Sequence, residues 1–207
     1  MTTTDFVCGY SDFTIKWATL KWEKQQALEL RRQVFCVEQR LFEATDEDEI
    51  DALAQCIVAI GNHGGWPDRV LGTVRIHQYD KGVWWGSRLA VAKEFRRRSG
   101  IGAGLIQLAV GSAHGLGCEQ FFAQVQKPNE PLFQRLHWRS QYELSVRHRP
   151  HVMMQARLEQ YPPCYTPYSG HVIKGTMNPV PDEIAPTLLT LASAPTSHTG
   201  DTGHATH

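Results

Sequence analysis

The chain of 207 residues carries 21 Lys and Arg against 21 Asp and Glu, and its length supports one buried core while leaving little for a second domain. A formal net charge of zero argues against a nucleic-acid binder, because such proteins use a basic surplus to neutralise phosphates. No apolar run approaches the ~18 residues of a membrane-spanning helix and no signal-peptide pattern opens the chain, so we expect a soluble, cytoplasmic protein without a nucleic-acid or membrane partner.

In the first half of the chain, segments with the apolar spacing of β-strands alternate with a segment that has the apolar spacing of an α-helix. Alternating apolar residues predict a strand over residues 13–18, and apolar residues at helical spacing predict a helix over 21–37. An acidic connection follows at 43–51. Turn signals then separate three β-rich runs, which we expect to form consecutive antiparallel strands: residues 55–60, 70–77 and 84–91.

The second half continues with a helix predicted over 100–114 and a strand predicted over 121–126. A short helix is expected at 131–136, followed by two closing strands at 142–146 and 152–156. This order predicts an α+β fold with a mixed, mostly antiparallel sheet flanked by helices.

The composition divides the chain into three parts. We interpret residues 1–12 as an N-terminal extension and residues 13–160 as the folded domain. Residues 161–207 form a tail rich in Pro, Thr and His, which we expect to be largely disordered after about residue 186. The five cysteines contain no C-x-x-C pair, so we expect neither a disulfide framework nor a metal site.

The most informative segment runs from the strand at 84–91 through a basic, glycine-rich turn, Arg97-Arg-Ser-Gly-Ile-Gly102, into an apolar helix. A helix start offers unpaired N–H donors and the positive end of the helix dipole. Glycines let a phosphate approach these donors, and neighbouring arginines add positive charge. The segment therefore predicts a pyrophosphate site, with an ordinary tight turn and solvated arginines as the alternative.

Two other phosphate-binding loops fit this segment poorly. A P-loop requires Lys followed by Ser or Thr after its last glycine, and no such pair follows Gly100, Gly102 or Gly104. A dinucleotide-binding fingerprint requires G-x-G-x-x-G directly after a strand, whereas here Leu105 stands at the third glycine position. The remaining pattern is R-x-x-G-x-G.

This pattern, entered from a strand that reads R-L-A-V and opening a helix, resembles the coenzyme A loop of the GNAT acyltransferase superfamily. Four further segments are similar, in the same order, to motifs of the family's ElaA-like branch: residues 30–39 with Asp46, Asp48, Asp51 and Ala54; Ala123 and Gln124; residues 132–138; and Pro150 and His151 with Met154. The resemblance covers roughly residues 14–157 and extends to the nitrogen-starvation N-acetyltransferases. It implies a GNAT fold, with a sheet that splays at the acyl-CoA cleft.

A second resemblance is to acyl-homoserine-lactone synthases, which share the GNAT fold and take acyl groups from acyl carrier protein. Their motif positions are matched by Arg31, Phe35, Asp48, Asp51, Gly72, Arg75, Ser87 and Arg88. Trp85 stands where those enzymes carry a glutamate.

On the donor side, the GNAT resemblance implies acetyl-CoA as cosubstrate and no metal. Main-chain groups of the strand would bind the pantetheine arm, and amides of the glycine loop would face the pyrophosphate. The implied binding residues are Leu89, Ala90, Val91, Arg97, Arg98, Ser99, Gly100, Ile101, Gly102 and Ala103, with Asn129 near the pantetheine.

On the acceptor side, the two resemblances imply a cluster of Arg31, Asp48, Asp51, Arg75 and Arg88. The aspartates would hold an amine or pair with the arginines, since an unpaired buried charge is costly. If the arginines outnumber the carboxylates in the cleft, the acceptor is expected to carry a carboxylate. The acidic stretch at 43–51 has an alternative interpretation as a solvated, helix-initiating loop.

Transfer to an amine requires a general base, because only the neutral amine is a nucleophile. The sequence leaves the catalytic residue unknown, with Glu38, Asp48, Glu143 and His151 as weak candidates. Phe133 stands where the family's helix carries a tyrosine that can protonate the departing thiolate, so we expect only a packing role for Phe133.

These features predict an N-acetyltransferase that moves an acetyl group from acetyl-CoA directly to a small amine. One alternative is an autoinducer-synthase-like acyltransferase that uses longer acyl-thioesters, and another is a non-catalytic CoA-binding sensor. The sequence leaves open the acceptor, the acyl length and whether the chain forms a homodimer.

Overall fold

The computed structural model describes residues 9–96 and 99–175, in which eight strands form one mixed sheet flanked by three α-helices. In chain order the elements are β1 (Asp12–Trp17), α1 (Lys21–Arg32), β2 (Gln55–His63), β3 (Trp66–Asp80), β4 (Val83–Val91), α2 (Ile101–Gly115), β5 (Gln120–Gln126), α3 (Glu130–Arg135), β6 (Trp138–Val146), β7 (Arg149–Ala156) and β8 (His171–Lys174). Across the sheet the order is β6-β7-β5-β4-β3-β2-β1-β8, antiparallel except between β4 and β5. The predicted α+β class and mostly antiparallel sheet are confirmed.

Alternation along β2 sends side chains into two different cores. Ile57 and Ala59 belong to the core that contains Leu105 of α2, whereas Val58 and Ile60 pack with Ala27 of α1. The helices α1 and α2 therefore cover opposite faces of the sheet. Among the described residues, none of the helices has the length and apolar character needed to cross a membrane.

The sheet opens between β4 and β5. Their parallel pairing ends at the pair Gly86 and Ala123, although β4 continues to its last residue at 91 and β5 to 126. β4 also contains a β-bulge, because it advances three residues from Ser87 to Ala90 while its partner β3 advances two. A bulge bends a strand and increases its twist, so β4 turns away from β5 beyond Gly86.

The helix α1 is shorter than the one predicted over 21–37. It ends at Arg32 and is followed by a π-helical turn, Gln33–Glu38, in which Val34 and Phe35 are buried. These two side chains form a small core with Ala90 of β4. Apolar spacing over so few residues does not distinguish a π-turn from an α-turn, which is why one continuous helix was predicted.

Ordered structure extends past the domain boundary predicted at residue 160. Tyr161 is 5% exposed, and its hydroxyl donates a hydrogen bond to the Leu136 carbonyl oxygen. The amide of Cys164 donates to the Gly111 carbonyl of α2 at 2.8 Å, and β8 pairs with β1. β8 has only four residues, which are too few for the alternation of a strand to be visible in the sequence. The disorder expected after residue 186 concerns residues outside those described.

We predict that a chain ending at residue 160 melts roughly 10 °C below the full-length protein, because it loses the buried Tyr161 ring and the pairing of β8 with β1. A chain ending at residue 185 is the control and is expected to keep the full-length melting temperature, since residues 186–207 contain few apolar side chains to bury. Equal melting temperatures for all three chains would contradict a structural role for residues 161–175.

Candidate functional site

A cavity of about 480 Å³ occupies the gap between β4 and β5. Phe35 and Phe42 line it from the side of α1, and Ile106 and Val110 of α2 line it from the other side. The cavity is therefore lined by side chains from both faces of the sheet. Among the described residues, no group of three or more His, Cys, Asp and Glu side chains is arranged to hold a metal ion.

The helix α2 begins beside the end of β4 with free N–H donors. Gly100 precedes it with φ +72°, a left-handed conformation that favours glycine. The amides of Gly102 and Ala103 have no acceptor within the helix, as at any helix start, and a Cβ at Gly102 would make only an ordinary contact with Val91 Cγ2 at 4.0 Å among the described residues. Gly104 is different, because its Cβ would collide with Ile15. This glycine therefore lets α2 pack against β1.

The predicted strand and turn residues lie in different surroundings. Leu89 and Asn129 line the cavity, while Ala90 is 2% exposed and offers only main-chain groups. The carbonyl oxygen of Val91 accepts a hydrogen bond from Arg96 Nε at 2.8 Å. Because β4 has no β5 partner beyond Gly86, its remaining edge is available to a bound molecule.

The predicted loop residues also divide by environment. The Ser99 hydroxyl donates to the Phe95 carbonyl at 2.5 Å and accepts from the Ile101 amide at 3.3 Å, so it shapes the loop. The Ile101 side chain is fully buried, which leaves only its main chain for a ligand. Arg97 and Arg98 lie outside the described residues, and their predicted role stays a prediction.

Three arginines and three aspartates form an ion cluster on the α1 side of the cavity. Its members are Arg31, Asp46, Asp48, Asp51, Arg75 and Arg88. The side chains of Arg31 and Arg75 are only 5% and 3% exposed. The charges balance within the cluster, as the burial of ionised groups requires.

Asp48 binds two of these arginines. Arg75 donates Nη1 and Nη2 to its two carboxylate oxygens at 2.6 and 2.7 Å, and Nε to Ser87 Oγ at 2.9 Å. Arg88 Nη2 donates to the same carboxylate at 2.9 Å. The hydrogen bonds from Arg75 outweigh desolvation and lower the pKa of Asp48. An aspartate held in this way stays ionised, which makes it a weak base.

Arg31 joins the other two aspartates. It donates Nε to Asp46 at 2.8 Å and Nη1 to Asp51 at 2.6 Å, and Asp46 also lies 2.9 Å from Arg88 Nε. Of the predicted acceptor residues, Asp48, Arg75 and Arg88 line the cavity, whereas Arg31 and Asp51 support them from outside its wall.

Arg88 has φ +56°, a left-handed conformation that is unusual for a residue other than glycine, and it lies within the β4 bulge. Such a conformation costs of order 1–2 kcal/mol. It brings the guanidinium to the Asp46 carbonyl oxygen, 2.9 Å from Nη2, and to Asp48. The ion cluster therefore offsets strain stored in the strand.

Two of the candidate bases lie outside the cavity. Glu38 is ion-paired with Arg96 at 2.8 Å, and Glu143 is 71% exposed and paired with Lys127. Neither side chain lines the cavity, so the structure gives no support to a catalytic role for either residue.

His151 lines the cavity and is 7% exposed. Its Nδ1 lies 2.9 Å from the Arg149 carbonyl oxygen. Because a carbonyl oxygen only accepts hydrogen bonds, Nδ1 carries the ring proton and Nε2 is free to accept one. Of the four candidates, His151 therefore has the arrangement that a general base requires.

Sequence reasoning missed several cavity residues, among them Phe42, His77 and Arg147. Burial and the nearby Arg75 charge lower the pKa of His77, and its Nδ1 has no hydrogen-bond partner among the described residues. The sequence contained a signal for His77. It follows Arg75 by two residues on a predicted strand, and residues two apart on a strand lie on the same face, so His77 could have been assigned to the same site as Arg75. Phe42 and Arg147 lie far apart in the chain, and no local pattern links them.

The profile of the acetyltransferase (GNAT) family matches residues 17–138, more than half of the chain. A search of curated protein sequences finds no match. Among solved structures, the fold is similar to Escherichia coli ElaA, with 18% identity, a TM-score of 0.59, and coverage of 70% of this chain and 98% of ElaA. A Lactobacillus plantarum protein assigned as an N-acetyltransferase has 20% identity and a TM-score of 0.63, with coverage of 70% and 98%.

The fold is also similar to BjaI, a CoA-dependent acyl-homoserine lactone synthase whose structure contains SAM and isopentyl-CoA. BjaI is 16% identical with a TM-score of 0.59, and the match covers 72% of this chain and 85% of BjaI. At these identities the structures show a shared fold alone, whereas the family profile spans the elements from α1 to α3 that surround the cavity. This chain belongs to the GNAT acetyltransferase family and is an acyltransferase.

Proposed function

We propose that this chain transfers an acetyl group from acetyl-CoA to the nitrogen of a small amine. The observation that carries the proposal is the cavity that crosses the sheet between β4 and β5, with the ion cluster on the α1 side. The free amides after Gly100 suit a pyrophosphate, and the unpaired edge of β4 suits the pantetheine arm. The donor thus enters from the α2 side and leaves the α1 side to the acceptor.

In this reaction the amine nitrogen attacks the thioester carbonyl carbon, the carbon–sulfur bond breaks, and an amide and the CoA thiol are formed. His151 Nε2 takes the proton that the nitrogen loses. Phe133 packs against Trp138 with ring centroids 5.0 Å apart and has no proton to give. A thiol of pKa about 8.5 leaves as thiolate without an acid and is then protonated by solvent.

A longer acyl group is the second candidate, and the walls of the cavity favour it. On the α2 side the cavity is bounded by Ala109, Val110, Phe121 and Phe133, which offer more apolar surface than a methyl group covers. BjaI, which shares the fold, was solved with isopentyl-CoA. Turnover with acetyl-CoA compared with medium-chain acyl-CoA distinguishes the two donors, and mass spectrometry of co-purifying thioesters gives an independent answer.

We predict amine-dependent release of CoA from acetyl-CoA, with His151→Gln lowering turnover about 100-fold or more because a general base contributes that much. CoA affinity of this variant is expected to stay unchanged in calorimetry. His148→Asn is the control, since His148 is exposed, does not line the cavity, and lies in a left-handed conformation that Asn tolerates.

Two outcomes would contradict these expectations. CoA binding without CoA release over a broad panel of amines and acyl-CoAs would favour the non-catalytic sensor. Normal turnover in His151→Gln would exclude His151 as the base and direct attention to His77, which also lines the cavity.

A further inference from the structure

Arg147 is a cavity-lining cation outside the ion cluster. Its guanidinium carbon lies 4.1 Å from the centroid of the Phe42 ring. The ion pairs formed among the described residues do not include Arg147. Because the arginines of the ion cluster are matched one for one by aspartates, Arg147 gives this end of the cavity an excess positive charge.

The turn that carries Arg147 is strained for its sequence. Arg147 and His148 have φ +49° and +60°, both left-handed, and Val146 pairs with Arg149 around them. A two-residue hairpin turn of this kind favours Asn-Gly, because other side chains resist positive φ. Backbone strain of this kind concentrates at functional sites. The left-handed conformation of this turn places the cationic side chain of Arg147 against the Phe42 ring at the cavity wall.

We infer that Arg147 binds a carboxylate of the acceptor, so that the substrate class is amines that carry a carboxylate, such as amino acids. The inference rests on the proposed function and specifies its acceptor. Arginine binds a carboxylate through two parallel hydrogen bonds, and the Phe42 ring fixes the plane of the guanidinium. His151, on the strand that follows the turn, lines the same cavity and can receive the proton of the amine.

Other partners suit Arg147 less well. The phosphates of the donor enter from the α2 side, whereas Phe42 belongs with Phe35 to the core on the α1 side. Arg75 and Arg88 are not alternative carboxylate sites, because both already bind Asp48, and an incoming carboxylate would have to displace it. Of the three arginines that line the cavity, Arg147 is the one that forms no ion pair with another described residue.

The test uses amines matched with and without the carboxylate, namely leucine, leucinamide and isopentylamine, with the acyl-CoA that supports turnover. An apolar side chain suits the cavity because the rings of Tyr79 and Trp85 lie beside each other at its wall, with centroids 6.4 Å apart. We expect kcat/KM for leucine to exceed that for leucinamide by about 10-fold or more, because one charge-assisted hydrogen bond changes affinity by about that factor. Arg147→Gln is expected to remove this preference and Arg147→Lys to restore part of it.

Arg139→Gln is the matched control, since Arg139 is an exposed arginine on β6 that does not line the cavity. Calorimetric binding of leucine to the CoA-loaded protein gives a readout without turnover, and Arg147→Gln is expected to weaken it about 10-fold. Leucine binding that depends on Arg147 without any CoA release would support the site and overturn the transferase proposal.

Three results would overturn the inference. Equal or faster turnover of leucinamide and isopentylamine by the wild-type protein would do so while leaving the proposed function intact. Preference for an aminoalkyl phosphate over leucine would assign Arg147 to a phosphate instead. Failure to release CoA with any amine, together with no leucine binding, would overturn both the inference and the proposed function.

Discussion

Gly100→Asp is expected to weaken CoA binding about 100-fold. Gly100 lies directly before the free amides of α2, and among the described residues a Cβ there would meet only Ile173 Cδ1 at 3.8 Å, an ordinary van der Waals contact. Its carboxylate would lie close to the site proposed for the pyrophosphate. Two like charges about 4 Å apart near a protein surface repel by about 4 kcal/mol before screening by salt, and screening leaves about 2–3 kcal/mol.

Gly100→Asn separates this charge effect from backbone strain. Asn and Asp tolerate the left-handed conformation similarly, so both variants are expected to lose about 1 kcal/mol or less of stability. Calorimetry with CoA is the measurement, and Gly100→Asn is expected to bind within about 10-fold of the wild type. Wild-type affinity in Gly100→Asp would exclude this loop as the pyrophosphate site.

Asp51→Asn is expected to destabilise the fold by about 3 kcal/mol, which lowers the melting temperature by roughly 10 °C. Asp51 accepts hydrogen bonds from Arg31 Nη1 at 2.6 Å and Nη2 at 3.0 Å, and lies 2.8 Å from Arg75 Nη1. The neutral amide removes the negative charge that pairs with the buried Arg31 and Arg75. The ion cluster would then contain three positive charges and only two negative ones. Folded protein of this variant is expected to bind CoA normally.

The pH dependence of stability tests the same interaction. Desolvation acts to raise the pKa of Asp51, but hydrogen bonds from Arg31, Arg75 and the Asp48 amide outweigh it and hold the pKa far below its usual range. The stabilisation is therefore complete above the unfolded-state pKa of about 3.9 and is lost as the pH falls below that value. The stability difference between wild type and Asp51→Asn is expected to narrow below about pH 4.

Glu49→Gln is the control for these measurements, because Glu49 is exposed in the same short 3₁₀ segment, Glu49–Ala52. This variant is expected to have the same melting temperature as the wild type at every pH. If Asp51→Asn also had the melting temperature of the wild type, the ion cluster would contribute little to stability, and its charge balance would need a purely functional explanation.

Local patterns in the sequence predicted most of the fold. The helix predicted over 100–114 is observed as Ile101–Gly115, and the strand predicted over 84–91 as Val83–Val91. Both follow from side-chain periodicity and from glycine and turn signals, which depend on neighbours along the chain. The order of strand, glycine loop and helix likewise indicated the fold family, because these three elements are contiguous in sequence.

The tertiary structure alone decided how distant residues meet. The sequence did not reveal that β8 pairs with β1, that Asp46 completes the charge balance of the ion cluster, or that Phe42 and Arg147 stack at the cavity wall. Periodicity assigns a side chain to a face, but strand order and the bulge in β4 determine which faces come together. The sequence by itself therefore determined most of the elements and indicated the glycine loop, but not β8 or the end of α1. The partners of the buried charges were determined by how α1 and the acidic segment pack on the sheet, because charges in contact there are separated by up to tens of residues along the chain.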